Sequence, residues 1–307
     1  MKWGLAMFLH DNKELFEEVI FNTADFYKLP IAIIEKDYYV TLVLKEIATR
    51  NPDIVFKGGT SLSKCYKIID RFSEDIDLNI MGDTKPGESK RRNLKAHIVD
   101  AIEYCKLTLT EPESIRSRRD FNKYVIDYPT QFDTNFLKQH LIIETAVFFR
   151  AYPTEIKEAD NFVYNYLLEN KYSDIIELYD LAPFTLNVQT TDRTFVDKLF
   201  ALGDYYLADT IQGHSRHIYD LYKLLPTIEF NDELKSLIKA IREERKEHKT
   251  CLSAQDDVDM NSLISEIIST DAYRSDYENV TSALLFKPVD YDVAIKVLDK
   301  VLKANIF

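Results

Sequence analysis

Residues 54–80, IVFKGGTSLSKCYKIIDRFSEDIDLNI, constrain this chain more than any other stretch, because they read as strand, glycine turn, helix and second strand in close succession. Ile54, Val55 and Phe56 form a short apolar run that predicts a buried strand. Gly58 and Gly59 end it with residues whose missing Cβ lets an anion approach the backbone. Thr60 or Ser61 then caps the following helix, whose N-terminal N–H groups and dipole favour a phosphate. Beyond that helix Ile76, Leu78 and Ile80 alternate with Asp75, Asp77 and Asn79, so the second strand buries one face and presents both aspartates on the other. Ser73 shares that face if the strand begins so early. Two like charges this close need a cation between them. A hard divalent ion with oxygen ligands, magnesium or manganese bridging the phosphates of a nucleoside triphosphate, suits the pair.

Periodicity organises the rest. Apolar residues recur at three and four between Asp11 and Lys28, with Asp11 and Glu14 resembling a capping box. A second helix is predicted from Ile31 to about Ile47 and another from Lys95 to Leu107. Leu141 to Phe149 reads as a buried strand carrying one acid, Glu144. From Thr190 onward the helical pattern dominates, with Tyr291 to Leu302 as a last helix. Seven glycines serve 307 residues, and no flexible linker, repeat or low-complexity segment is visible. These patterns predict a mixed sheet with flanking helices over residues 1–187 and an all-helical part over 188–307.

Composition narrows the setting. No run of about eighteen apolar residues exists to cross a membrane, and the first ten residues lack the apolar length and cleavage site of a leader. Cys65, Cys105 and Cys251 are an odd, scattered set without metal-ligand spacing, which points to reduced thiols in a cytoplasm. A net charge of −12 argues against indiscriminate coating of nucleic acid. Two local basic clusters stand against it, Lys90, Arg91, Arg92 and Lys95, then Arg116, Arg118, Arg119 and Lys123. They are either solvated faces or a path for a triphosphate or an RNA backbone. The run Arg242 to Lys249 alternates in sign and predicts an exposed helix.

The glycine turn with the segment Arg71-Phe72-Ser73-Glu74-Asp75-Ile76-Asp77-Leu78 resembles the signature of the AbiEii/AbiGii toxin family, nucleotidyltransferase-like proteins related to the MenT toxins and the polymerase-β-type superfamily. Glu35-Lys36-Asp37-Tyr38-Tyr39 is similar to an N-terminal helix of that family, and Arg193 to Lys198 and Arg216 to Leu221 resemble its two C-terminal motifs. Fifteen residues separate Gly59 from Asp75, more than the wider superfamily pattern allows, although the spacer is similar to this family's. Gly59 stands where many superfamily members carry serine, so a side-chain contact to phosphate falls to Thr60 or Ser61.

The resemblance implies an α+β fold of the polymerase-β nucleotidyltransferase type with a helical C-terminal half. It also implies a metal-dependent nucleotidyltransferase acting as the toxin of a type IV toxin–antitoxin or abortive-infection pair, with tRNA as acceptor and an antitoxin encoded nearby. Asp75 and Asp77 become metal ligands, Lys57, Gly58, Gly59, Thr60, Ser61, Lys64 and Ser73 the nucleotide cradle, and Glu144, Lys198 and Asp220 further catalytic residues. Each has a plainer reading. Glu144 could pair with an arginine, Lys198 could snorkel from the apolar stripe of its helix, Asp220 could pair with Arg216 or His217, Lys64 could face solvent, and His217 reads as structural. A housekeeping transferase acting on a protein or small molecule, and a nucleotide-binding module without activity, are the alternatives. The intact aspartate pair weighs against the second.

Overall fold

The computed structural model describes residues 7–82, 85–116, 118–132 and 139–307. The opening residues 1–6, part of the stretch read for a leader, lie outside these. No helix among the described residues is long and apolar enough to cross a membrane. The chain divides into two compact units: residues up to Tyr66 together with Ser73–Val188, and Lys67–Phe72 together with Gln189–Phe307.

The first unit begins with two amphipathic helices, α1 (Lys13–Tyr27) and α2 (Ile31–Arg50), the second entered directly after Pro30. The α1 cap differs from the expected box: Asn12 accepts from the Leu15 N–H, while Asp11 lies in a preceding 3₁₀ turn. The strands are β1 (Ile54–Lys57), β2 (Ile76–Ile80), β3 (Thr108–Thr110), β4 (Phe121–Asp127), β5 (His140–Ala146), β6 (Thr154–Ala159) and β7 (Phe184–Gln189), joined in one mixed sheet of order β3-β4-β5-β2-β1-β7-β6. Between them lie α3 (Gly58–Lys64), α4 (Glu88–Tyr104), α5 (Phe162–Glu169) and α6 (Ser173–Leu178). β2 runs antiparallel to β1 and parallel to β5. Ile76, Leu78 and Ile143 on one sheet face, with Ile98 and Ile102 of α4 and Tyr39 and Val43 of α2, are fully buried in a common core. α4 starts seven residues before the predicted Lys95, because the basic residues of its first two turns hide an apolar stripe that begins only at Leu94.

The second unit is built from α7 (Thr191–Leu207), α8 (Arg216–Leu224), α9 (Asp232–Lys246), α10 (Met260–Ser269), a short α11 (Arg274–Asp276), α12 (Tyr291–Ala294) and α13 (Lys296–Ala304). Lys67–Phe72 belongs here because it pairs with an extended segment of the same unit: the Phe72 N–H donates to the Leu284 carbonyl at 2.9 Å and the Phe286 N–H to that of Asp70 at 2.8 Å. α9 is not the exposed charged helix its sequence suggests. Arg245 is buried with its guanidinium on Asp204, and Arg242 donates to the carbonyls of Ala254, Gln255 and Val258.

Candidate nucleotide-transfer site

In the first unit the sheet register assembles four charged residues in one row. Lys57 on β1 is in register with Asp77 on β2, Asp77 with Glu144 on β5, and Glu144 with Lys123 on β4. Registered neighbours project to the same face, so the row reads plus, minus, minus, plus. Asp75 precedes Asp77 by two residues on that same side. Behind the row, the opposite face carries Phe56, Leu78 and Ile143, all fully buried.

Asp77 explains the glycine turn. Gly58 has φ +77°, which only glycine adopts cheaply, and a Cβ built there would overlap the Asp77 carboxylate, with Cγ only 2.9 Å away. The turn therefore lies against the aspartate, not merely before it in sequence. α3 starts at Gly58 with Lys57 as its N-cap and no side-chain cap, so Thr60 and Ser61 sit inside the first turn and do not cap it. The Ser61 hydroxyl donates back to the Gly58 carbonyl at 2.9 Å, bracing the turn, and the Thr60 and Ser73 hydroxyls are hydrogen-bonded at 2.9 Å.

Asp75 carries the other informative feature. Its Oδ1 is buried and has no hydrogen-bond partner. Buried polar atoms almost always have one, and an orphaned carboxylate oxygen costs more than a neutral group. A divalent ion would satisfy it, so the donor chemistry fits a metal held by Asp75 and Asp77. Among the described residues no cluster of three or more His, Cys, Asp or Glu is gathered to form an ion cage. Remaining ligands would come from phosphates and water, which is how magnesium is usually bound.

Helix α2 braces these elements through polar residues that periodicity did not single out. Lys36, 1% exposed, pairs with Glu74, the neighbour of Asp75. Asp37 accepts from Lys64 and from the Phe162 N–H, and Lys64 also donates to the Thr41 hydroxyl at 2.6 Å. Lys64 is thus buried against α2 rather than pointing to solvent. Glu35, fully buried, accepts from the Thr130 hydroxyl and the Gln131 N–H, and burial raises its pKa. The signal was available: three consecutive charged residues in an otherwise apolar helix cannot all lie on its outer face.

In the second unit Lys198 and Asp220 are brought together with Arg71. The Arg71 guanidinium grips the Asp220 carboxylate with two bonds of 2.7 and 2.8 Å, and Lys198 Nζ donates to it at 2.7 Å. Asp220 is 0% and Lys198 7% exposed. Burial alone would raise the Asp220 pKa, but Arg71 and then Lys198 outweigh it and hold the carboxyl well below the usual range. One anion serves two cations, so the excess falls on Lys198: burial lowers its pKa, and Asp220 offsets this only in part. His217, 3.4 Å from Lys198, is pushed well below the usual imidazole value by burial and then by that ammonium, in keeping with a structural role. Arg193 of the same motif group is bound to Asp197 and Glu244. The signature segment is divided between the units, Arg71 and Phe72 in the second, Ser73 to Asp77 in the first.

A model of the family described as the nucleotidyl transferase AbiEii toxin, type IV toxin–antitoxin system, matches residues 43–301. Among solved structures the chain is similar to MenT4, a nucleotidyltransferase toxin from Mycobacterium tuberculosis H37Rv, with 17% identity, 92% of this chain and 87% of that one covered, and a TM-score of 0.55. At that identity the likeness is one of fold. JHP933 from Helicobacter pylori aligns at 19% identity over 88% of this chain and 92% of that one, with a TM-score of 0.40. No curated protein matches the sequence.

Proposed function

Because the chain belongs to the AbiEii family of nucleotidyltransferase toxins of type IV toxin–antitoxin systems, we propose that it moves a nucleotide from a nucleoside triphosphate to a hydroxyl of an RNA acceptor, with tRNA the acceptor implied by the family resemblance. The observation that carries the reading is the coincidence at one strand end of a glycine turn with room for no side chain beside Asp77 and an orphaned buried oxygen on Asp75. A magnesium or manganese ion held by these two carboxylates would neutralise charge on the reacting phosphates and on the departing pyrophosphate.

The chain's own residues supply the rest. The backbone N–H groups of the Gly58–Ser61 turn hold phosphate oxygens, and the paired Thr60 and Ser73 hydroxyls offer a further donor. Lys57, in register with Asp77, adds positive charge at the edge of the row. Glu144 is the proposed base toward the acceptor hydroxyl, since it neighbours Asp77. Asp220 suits that task less, because a carboxylate whose pKa is strongly depressed accepts a proton poorly near neutral pH. We assign Asp220 instead to holding Arg71 and Lys198. The family resemblance implies a phosphate contact for Lys198, which would require its ammonium to exchange Asp220 for phosphate. Lys64 is assigned to anchoring α3 on α2. As in the family, an antitoxin completes the pair.

The test is transfer of radiolabelled nucleotide, offering each of the four nucleoside triphosphates with magnesium, total tRNA and a protein acceptor control. Label on RNA is expected with the intact chain and absent with Asp75→Ala or Asp77→Ala. An Asp77→Ala protein that keeps more than about a tenth of the activity would remove the metal assignment, because losing such a clamp costs several kcal/mol of transition-state stabilisation.

A further inference from the structure

The two basic clusters, twenty residues apart in sequence, are one surface in the first unit. Arg91 of α4 pairs with Asp120 in the loop before β4, Lys85 pairs with the same acid, and Lys95 donates to the Ile115 carbonyl at 2.7 Å. Arg118 lies 3.5 Å from Glu88 at the start of α4. These ties clip the first two turns of α4 to Ile115, Arg118 and Asp120. Lys90, Arg92, Arg116, Arg118, Arg119 and Lys123 are left exposed around the clip. Residues 85–95 and 116–123 together hold nine lysines and arginines against two acids, a surplus of seven positive charges on a chain whose net charge is −12. Local concentration of one sign against the trend of the whole molecule is what steers a polyanion to one place.

The β4 end of this surface reaches the carboxylate row, while α4 itself packs against the opposite face of the sheet. Lys123 on β4 is in register with Glu144, and Glu144 with Asp77. Two strand spacings, about 10 Å, therefore separate the last cation of the surface from the proposed metal ligand. Two residues before Lys123 on the same sheet side stands Phe121, 44% exposed. An open aromatic ring flanked by cations is a stacking platform for a base. A protein partner would ask for a central apolar anchor cluster, and here the exposed groups are almost all cationic.

We propose that this surface, α4 residues 88–95 with Arg116 and residues 118–123, is where the RNA acceptor docks: phosphates of the strand on Lys90, Arg92, Arg118 and Arg119, a base on Phe121, and the reactive end directed along β4 and β5 toward Glu144 and Asp77. The inference rests on an RNA acceptor and adds the location and the contacts.

The experiment measures binding of an in-vitro transcribed tRNA to the full chain by fluorescence anisotropy across a potassium chloride series, beside nucleotide transfer to the same RNA. Arg118→Glu with Arg119→Glu is expected to weaken binding more than tenfold and to flatten the slope of log affinity against log salt by about two units, since each phosphate contact contributes nearly one. KM for RNA rises, while KM for the nucleoside triphosphate stays within twofold. Lys90→Glu with Arg92→Glu repeats the effect from the helix side, and Phe121→Ala lowers affinity without changing the slope. All these side chains are exposed, so unchanged melting temperatures accompany the changes. If wild type binds and modifies tRNA and both double variants keep its affinity and slope, the surface is not the docking site. If wild type labels only a protein, the RNA reading falls with this inference, while loss of that labelling in Asp77→Ala would leave nucleotide transfer standing.

Discussion

Two acids, one in each unit, are held in opposite ways. Asp220 in the helical unit is fully buried and saturated, with Arg71 on both oxygens and Lys198 on one. Asp75 in the sheet unit is half-buried, and one of its oxygens is buried without any partner. A carboxylate fully answered by its own chain is scaffolding, and removing it strands the cations it neutralised. A carboxylate left unanswered is destabilising in isolation and is retained because something else binds there. Substitutions at the two places should therefore separate activity from stability in opposite directions.

The widest separation is expected at Asp75. Asp75→Ala should abolish nucleotide transfer while leaving the melting temperature unchanged or higher, read by transfer assay and calorimetry on the same preparation. A protein melting well below wild type would erase the contrast.

In the helical unit, Asp220→Asn should cost about 3–5 kcal/mol by leaving Arg71 and Lys198 buried without their anion. The pH dependence follows from the depressed carboxyl pKa. Stability from Asp220 is fully present above the unfolded carboxylate value, about 3.9, and is lost as pH falls below it toward the folded value. The gap between wild type and variant in denaturant unfolding should hold from pH 7 down to about 5 and narrow below about 4. A constant gap across that range would mean that charge is not what Asp220 contributes.

Lys36→Ala bridges the two kinds of behaviour. It leaves Glu74 without its buried partner, at about 3 kcal/mol, and frees the residue next to Asp75. Stability and transfer should both fall, and Lys36→Arg should restore more stability than activity, because a guanidinium cannot occupy the ammonium's place without moving Glu74.

The smallest stability cost is expected at a glycine, and it gives the cleanest comparison. Gly58 and Gly213 have nearly the same backbone, φ +77° and +80°, but a Cβ at Gly213 meets nothing within 4 Å whereas one at Gly58 meets Asp77. Gly213→Ala should cost about 1–2 kcal/mol through the left-handed conformation alone and leave transfer intact. Gly58→Ala should lose transfer altogether. Equal activity in the two variants would separate the turn from the site.

Much of this was legible in the chain. The alternation Ile76, Leu78, Ile80 against Asp75, Asp77 gave β2 and its two faces, because a period of two leaves a strand no other arrangement. The apolar run at Ile54–Phe56 gave β1, and the paired glycines gave the turn. What stayed hidden depended on contacts distant in sequence. β3, β6 and β7 carry mixed, half-exposed residues whose pairing only the sheet determines. The row Lys57–Asp77–Glu144–Lys123 exists only once register is known. Likewise nothing local tells that Arg71, four residues before Asp75, serves Asp220 149 positions away.

On this reading Asp75 is left incomplete for a cation and its phosphate-bearing substrate. The most direct measurement is the melting temperature of wild type and Asp75→Asn, first in chelator and then with magnesium and a saturating nucleoside triphosphate. The variant should melt at or above wild type in chelator, because an orphaned buried charge is gone, and only wild type should be stabilised when metal and nucleotide are added. A variant that melts lower in chelator, yet gains as much as wild type from metal and nucleotide, would contradict it.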